Sequence, residues 1–124
     1  MRLWDSLSAG KPQGKGFTGI SQLKKIRREI HKAPELGWNL TELAKRLNIS
    51  RSYVQKLYKE QFGISYMDDL IEARIAMAKL LLTTTDLRIQ EVASSCGYQN
   101  ATHFMRQFRD KTGMSPSEFR AKSE

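Results

Sequence analysis

Residues 65–83, SYMDDLIEARIAMAKLLLT, form the stretch around which the rest of the chain is organised. Their apolar side chains recur at three- and four-residue steps, a pattern that predicts a helix with one buried face. The positions predicted to be buried are Met67, Leu70, Ile71, Ile75, Ala78, Leu81 and Leu82. The segments on either side of this helix resemble each other, so the helix is expected to connect two similar units.

The two flanking segments are copies of one pattern. Residues 42–65, ELAKRLNISRSYVQKLYKEQFGIS, come before the helix, and residues 91–115, EVASSCGYQNATHFMRQFRDKTGMS, come after it. They align at an offset of 49 residues before the turn and 50 residues after it, so the second turn is one residue longer. Each copy predicts two short helices joined by a tight turn, which is a helix-turn-helix.

Capping residues mark the helix ends of the first copy. Asn39 is expected to cap a helix over residues 40–47, and Ser50 a second helix over residues 51–61. Gly63 suits the left-handed position that closes the second helix. Inside that helix, Val54, Leu57, Tyr58 and Phe62 fall on the face expected to point inward.

The turn and the helix starts of the second copy follow the same logic, with one exception. Asn48 and its counterpart Gly97 are both residues that tolerate positive φ, so both are expected in the turn. Residues 115–118, Ser-Pro-Ser-Glu, predict a capping box with proline at the first helical position, followed by Phe119 pointing inward. Arg88 stands where the first copy has its cap and has no acceptor, which leaves Asp86 as an alternative cap.

The sequence predicts four segments along the chain. Residues 1–19 predict a flexible tail or linker rich in Gly, Lys and Pro. Residues 20–64 form the first helix-turn-helix subdomain, which opens with a helix over residues 20–33 that Pro34 ends. The linker helix covers residues 65–83, and residues 84–124 form the second helix-turn-helix subdomain.

Composition narrows the class of partner. The chain has 124 residues, of which 21 are Lys or Arg and 13 are Asp or Glu, giving a net charge of +8. Such a charge favours a polyanion, and by itself it suits DNA, RNA or an acidic membrane equally. No apolar run approaches the ~18 residues of a membrane span. The single cysteine excludes an internal disulfide and a multi-cysteine zinc site, and it favours the cytoplasm.

Outward-facing side chains of the second helix in each copy are candidates for nucleic-acid contact, because that helix enters the major groove. Gln55 and Arg106, near the middle of each outward face, have the bidentate geometry that base reading requires. Lys56, Lys59, Arg109 and Lys111 suit phosphates, which position a protein without specifying sequence. The alternative for any one of them is a solvated basic surface, and the recurrence of cations in both copies argues against it.

Other chemistry finds little support in the sequence. No nucleophile, base and orienting group stand in a recognisable catalytic arrangement, so an enzyme is not expected. His31 and His103 lie in no metal-ligand pattern, and neither a metal nor another cofactor is expected. Cys96 falls at an inward position beside the turn, where a small buried apolar residue is expected.

The sequence over about residues 20–120 resembles the AraC/XylS-type bacterial transcription regulators at many positions. The matches in the second copy are Ile89, Ala93, Gly97, Tyr98, Phe104, Arg106, Phe108, Gly113, Pro116, Phe119 and Arg120. Those in the first copy are Leu43, Ala44, Leu47, Ile49, Ser50, Val54, Leu57, Tyr58 and Gly63. The linker helix shares Arg74 and Ala78 with the family.

This resemblance implies an all-α fold of seven helices, with two helix-turn-helix subdomains joined by the linker helix. By position, the base-contacting sites of the family fall on Ser52, Gln55, Lys56, Ala101, Thr102, His103, Met105 and Arg106. The resulting base-contact candidates are Ser52, Gln55, Lys56, Thr102, His103 and Arg106. The phosphate-contact candidates are Arg51, Lys59, Arg109 and Lys111.

The function expected is sequence-specific binding of double-stranded promoter DNA for regulation of transcription, with the two recognition helices in successive major grooves. RNA polymerase is a further candidate partner, a membrane is not expected, and the expected location is the cytoplasm at the nucleoid. The alternatives are a basic module that binds RNA or an acidic protein, and a non-specific nucleoid-type DNA binder. An effector or dimerisation domain, which such regulators usually carry, is not expected within this chain.

Overall fold

The computed structural model describes residues 18–124, and within them it consists of seven α-helices and no strand. The helices are α1 (Thr18–Lys32), α2 (Leu40–Leu47), α3 (Arg51–Phe62), α4 (Tyr66–Thr84), α5 (Ile89–Ser95), α6 (Ala101–Thr112) and α7 (Pro116–Ser123). The predicted all-α fold of seven helices is therefore confirmed. The predicted flexible tail lies outside the described residues except for its last two positions, which belong to α1. None of the described helices is long and apolar enough to cross a bilayer.

The chain separates into two compact units. The first contains α1 and Trp38–Met67, and the second contains Ala33–Gly37 and Asp68–Glu124. Helix α4 begins in the first unit and continues through the second. Each unit contains one helix-turn-helix, α2 with α3 in the first and α5 with α6 in the second.

Side-chain caps set the helix ends of the first unit as predicted. Asn39 Oδ1 accepts the amide proton of Glu42 at 2.9 Å, and Ser50 Oγ accepts that of Tyr53 at 3.1 Å. Asn48 adopts the left-handed conformation with φ of 57°. Helix α2 has its predicted bounds, and α3 ends at Phe62, one residue later than predicted.

The core of the first unit joins α1, α2 and α3 with the start of α4. Leu23, Ile26 and Ile30 of α1 are buried together with Leu43, Val54 and Tyr58 of the helix-turn-helix and Tyr66 at the start of α4. The Tyr58 ring meets Phe62 edge-on at 4.7 Å between ring centroids and Tyr66 at 5.8 Å. Each such side chain contributes about 1.5–3 kcal/mol by leaving water. This core holds α3 by its inner face.

The core of the second unit is built on the linker helix. Ile75, Ala78 and Leu82 of α4 pack with residues of the three helices that follow and of the turn between α5 and α6: Val92, Ala93, Cys96, Tyr98, Phe104, Phe108 and, partly buried, Phe119. Phe104, Phe108 and Phe119 form a chain of ring contacts with centroid separations of 5.7 Å and 5.5 Å. The inward prediction for Phe119 is confirmed, and α6 is anchored by two aromatic rings.

The predicted buried face of α4 needs one correction. Met67 is 56% exposed, whereas the preceding residue, Tyr66, is only 3% exposed. The Tyr66 ring packs against Tyr58, and burying that ring turns the neighbouring Met67 side chain to solvent. Helix α4 also begins and ends one residue later than predicted, and α1 runs from Thr18 to Lys32 rather than over residues 20–33.

In the second unit, local hydrogen bonds close the remaining helix ends. Asn100 Oδ1 accepts the amide proton of His103 at 3.0 Å, and Gly97 has φ of 97°. The capping box at α7 is confirmed, since Ser115 Oγ accepts from Glu118 N at 3.1 Å and Glu118 Oε1 accepts from Ser115 N at 2.8 Å. Hydrogen bonds to the Glu118 carboxylate from the Ser115 backbone and, second, from the Ser115 side chain lower the pKa of this carboxyl.

The start of α5 settles the alternative left open for Arg88 and Asp86. The helix begins at Ile89, directly after Arg88. The Glu91 carboxylate turns back and accepts the Arg88 amide proton at 2.8 Å. The Glu91 side chain, in the first turn of α5, therefore accepts the Arg88 amide proton, as the third-position residue of a capping box does.

Candidate nucleic-acid interface

The candidate interface consists of the outward faces of α3 and α6, which are held in the same way in the two units. Val54 and Tyr58 of α3 have no exposed surface, and neither do Phe104 and Phe108, their counterparts 50 residues later in α6. Because an α-helix has 3.6 residues per turn, anchoring one face fixes which side chains lie opposite. The same positions of both helices are thereby turned to solvent.

All ten residues predicted to contact DNA are exposed. Those on α3 are Arg51, Ser52, Gln55, Lys56 and Lys59; those on α6 are Thr102, His103, Arg106, Arg109 and Lys111. The structure brings each group of five together on one helix of one unit. Their assignment to bases or phosphates stays a prediction.

Helical spacing sorts these residues around each helix. Ser52, Lys56 and Lys59 follow one another at steps of four and three residues, which places them in one stripe. Thr102, Arg106 and Arg109 form the corresponding stripe on α6.

Two of the remaining candidates, Gln55 and Lys111, lie outside these stripes. Gln55 lies on the flank of the first stripe, in the position that Met105 occupies on α6. Lys111 belongs to the last turn and lies on the side of Phe104 and Phe108, away from the stripe. Arg106 and Lys56 therefore have the central positions, opposite the buried rings.

Four of the outward side chains form no bond with the rest of the described residues. Within residues 18–124, the side chains of Gln55, Lys56, Lys59 and Arg106 make no hydrogen bond or ion pair. A charged donor that the fold leaves in water is available to an anionic partner without first breaking an internal bond. The guanidinium of Arg106 can donate two parallel hydrogen bonds, the geometry that suits a guanine edge or a phosphate.

Two other arginines of the same unit have a different role. Arg74 donates from Nε to Pro34 O at 2.8 Å and from an Nη to Leu36 O at 3.0 Å. Arg120 donates to Leu82 O at 3.0 Å and to Thr85 O at 3.2 Å, which satisfies carbonyls at the end of α4. Both are committed to the backbone of their own unit.

The start of α6 is supported by Tyr98. Its ring meets His103 edge-on at 5.6 Å and Phe104 at 5.2 Å between centroids, and its hydroxyl donates to Gln107 Oε1. Burial raises the pKa of Tyr98 to about 12, so the phenol stays a neutral donor. His103 is thus exposed on one side and held on the other.

The turn of the second unit is tightly packed against the segment Ala33–Gly37. A Cβ at Gly97 would lie 2.9 Å from Glu35 O and 3.2 Å from Arg74 Cζ, and the φ of 97° already disfavours a side chain there. Glycine is therefore required at this turn for two reasons, its conformation and its lack of a side chain.

A surface groove lies beside the turn in each unit. Groove 1, about 570 Å³, is lined by Thr41, Ala44, Lys45, Asn48, Ile49, Ser50 and Arg51. Groove 2, about 510 Å³, is lined by Gln90, Ala93, Ser94, Gly97, Tyr98, Gln99 and Ala101. Lys45 was not among the predicted contact residues. Its counterpart at an offset of 49 residues is Ser94, so the recurrence of cations in both copies could not have identified it.

Metal-ligating side chains do not cluster within residues 18–124. Among the described residues, no three His, Cys, Asp or Glu side chains come together in a group that could hold a metal ion. Cys96 is fully buried, as predicted, and burial raises the pKa of its thiol to about 11. The thiol is therefore neutral and shielded at ordinary pH.

Comparison with known proteins places the chain in a family. Residues 43–122 match the family model of a helix-turn-helix domain. The arabinose operon regulatory protein of Escherichia coli is 38% identical over 87 residues, which cover 70% of this chain and 30% of that protein. The Msm operon regulatory protein of Streptococcus mutans is 32% identical over 101 residues, covering 82% of this chain and 35% of that protein. The chain thus spans about a third of the length of these relatives.

Solved structures agree with these matches. The C-terminal domain of AraT, a response regulator from Geobacillus stearothermophilus, superposes with a TM-score of 0.75 at 28% identity, covering 88% of each chain. The DNA-binding domain of AdpA, solved in complex with a target DNA, gives a TM-score of 0.76 at 27% identity, covering 81% of this chain and 90% of that one. The chain belongs to the AraC-type family of helix-turn-helix DNA-binding domains of transcriptional regulators.

Proposed function

We propose that this chain binds a specific sequence of double-stranded DNA and thereby regulates transcription, with α3 and α6 each entering a major groove. The observation that supports this proposal is the matched pair of outward stripes. Each begins at the N-terminal half of the second helix of a helix-turn-helix, the part that approaches base edges. Both are cationic, exposed and free of internal bonds at their centres.

We assign base reading and phosphate contact to the residues that the sequence predicts for each role. Arg106 and Gln55 are proposed to bond a guanine and an adenine respectively, with two hydrogen bonds each. Lys56, Ser52, Thr102 and His103 complete the base-contact candidates, while Arg51, Lys59, Arg109 and Lys111 are proposed to contact phosphates. Because both helices belong to one chain, one molecule is expected to cover an asymmetric site of about 20 base pairs.

The wider proposal follows from the relatives. Two of them are named as operon regulatory proteins. We therefore place this chain at promoter DNA in the bacterial cytoplasm, with RNA polymerase as its protein partner. No part of the proposal requires the chain to be an enzyme.

The test is selection of bound duplexes from random DNA by the purified chain, followed by affinity measurements. The selected duplex should bind at least tenfold more tightly than a scrambled duplex of equal length and composition. Footprinting should show protection over about two helical turns without a palindrome. Equal affinity for both duplexes, or recovery of single-stranded RNA in preference to duplex DNA, would refute the proposal.

A further inference from the structure

Groove 1 and groove 2 are built from corresponding positions but differ in charge. Both lie between the first helix of the motif and the start of the second, and each contains an alanine of the first helix and the residue at positive φ. The lining positions that change character between the copies are Thr41 and Gln90, Lys45 and Ser94, and Arg51 and Ala101.

Groove 1 carries two cations. The Lys45 side chain is 72% exposed, and its Nζ lies 3.7 Å from Glu42 Oε2. An exposed pair at that distance contributes little, so an anion can replace the carboxylate at small cost. Arg51, on the other wall, makes no hydrogen bond or ion pair with the rest of residues 18–124.

Groove 2 carries no charged side chain. Its polar lining consists of the amides of Gln90 and Gln99, the Ser94 hydroxyl and the Tyr98 phenol, which is already committed to Gln107. Gln99 is the extra residue of the longer turn and has no counterpart in the first copy. Amides and hydroxyls can donate to a phosphate oxygen, but they do not neutralise its charge.

The position of the grooves indicates what they would meet on DNA. In a helix-turn-helix the first helix crosses the sugar-phosphate backbone while the start of the second helix meets base edges. A groove between these two elements therefore faces the backbone next to the bases being read. A cation there releases condensed counterions, and a neutral donor does not.

We propose that the two turns bind the DNA backbone by different chemistry, groove 1 neutralising a phosphate through Lys45 and Arg51 and groove 2 donating neutral hydrogen bonds from Gln90, Ser94 and Gln99. This inference rests on the proposed DNA-binding function and deepens it. Its consequence is that the half-site under α3 weakens faster with rising salt than the half-site under α6.

The experiment exchanges the charge between corresponding positions in the full chain. Binding to the selected duplex and to a scrambled duplex is measured by fluorescence anisotropy from 50 to 200 mM NaCl. Lys45→Gln should reduce the log-log salt slope by about 0.9, so its affinity falls about 3.5-fold less than that of the unmodified chain over this range. Ser94→Lys should steepen the slope by about 0.9. Ser94→Ala should lower the affinity with the slope unchanged.

Lys25→Gln on α1 is the matched control, because it removes an exposed cation that lines neither groove. It should change the slope by less than half as much as Lys45→Gln. Equal changes in these two variants, or an unchanged slope in Ser94→Lys, would overturn the inference. If Lys45→Gln no longer melts cooperatively, Lys45→Ser is used instead, because serine is the residue at the corresponding position 94 of the second copy. If the unmodified chain shows no sequence preference, the proposed function is refuted. The salt slopes measured on the scrambled duplex still test the inference about the two grooves in that case.

Discussion

Arg106 offers the most direct test of base reading, because a second arginine in the same unit serves as its control. The Arg106 side chain is exposed and makes no hydrogen bond or ion pair within the described residues, whereas the Arg120 side chain donates to Leu82 O and Thr85 O. Replacing each with alanine removes the same chemical group. The structure predicts opposite effects of the two changes on stability and on recognition.

The magnitudes follow from these contacts. Arg106→Ala should change the free energy of unfolding by less than about 0.5 kcal/mol, as for other surface positions. Loss of two hydrogen bonds to a base should cost about 1–3 kcal/mol of binding, or about 5- to 150-fold in Kd. Arg120→Ala should cost about 1.5–3 kcal/mol of stability, since charged donors to partly buried carbonyls are lost. That corresponds to a Tm lower by about 6 °C or more.

Two measurements on the same proteins separate the roles. Circular dichroism at 222 nm gives Tm, and anisotropy against duplexes changed at one position at a time gives the base preference. Arg106→Ala should lose preference at one base pair, expected to carry guanine, and keep it elsewhere. Arg106→Lys keeps the charge without the paired donors, so it should lose the same preference while retaining the salt slope.

Two results would refute base reading by Arg106. If Arg106→Ala weakens every duplex by the same factor, the side chain contacts phosphate and the base assignment is wrong. If it lowers Tm as much as Arg120→Ala does and leaves base preference intact, Arg106 is a scaffold residue. Gln55→Ala is the parallel test on α3, with a loss in the same range expected at an adenine.

Further predictions concern the scaffold. Ile75→Ala should destabilise the chain by about 2–5 kcal/mol in denaturant titrations, whereas Met67→Ala should change stability by less than about 0.5 kcal/mol; equal effects would contradict the buried face of α4. Gly97→Ala should cost more stability than Gly63→Ala, because both have positive φ but only at Gly97 would the new Cβ meet a backbone oxygen at 2.9 Å. Burial raises the pKa of the Cys96 thiol from 9.0 to about 11, so the folded state holds its proton more tightly than the unfolded state. Stability should accordingly decline as pH rises from about 9 to about 11, and Cys96→Ala should reduce that decline in melts across the same pH range.

Local chemistry explains which parts of the fold were predictable. Asn39 and Ser50 each cap the helix expected of them, and Asn100 caps α6 in the same way, since a short acceptor side chain beside a free amide needs no distant partner. Asn48 and Gly97 adopt positive φ for an equally local reason. These residues fix the helix ends, and the repeat then fixes the pairing of helices in each unit.

Choices between equivalent local solutions were less predictable. Met67 and Tyr66 both continue the apolar spacing of α4 toward its start, and only the ring contact with Tyr58 buries the tyrosine instead of the methionine. Likewise, α5 could begin after Asp86 or after Arg88. The helix begins after Arg88 because the Glu91 carboxylate accepts the Arg88 amide proton. A search for cap residues does not consider such a bond, since the acceptor lies inside the helix.

At the candidate site, the sequence likewise does not show which charged side chains are available to a partner. The net charge of +8 counts every arginine, whether or not it is available to a polyanion. In the fold, Arg74 and Arg120 donate to backbone carbonyls, and Arg46 pairs with Glu29 at 3.2 Å. Sequence spacing identifies Arg106 as outward, but its lack of internal partners is visible only in the structure. The cations free to meet DNA are therefore a subset of those counted, and their distribution between groove 1 and groove 2 is uneven. Because only cations that reach a phosphate release counterions on binding, their number in each copy, and not the net charge, sets how each half-site responds to salt.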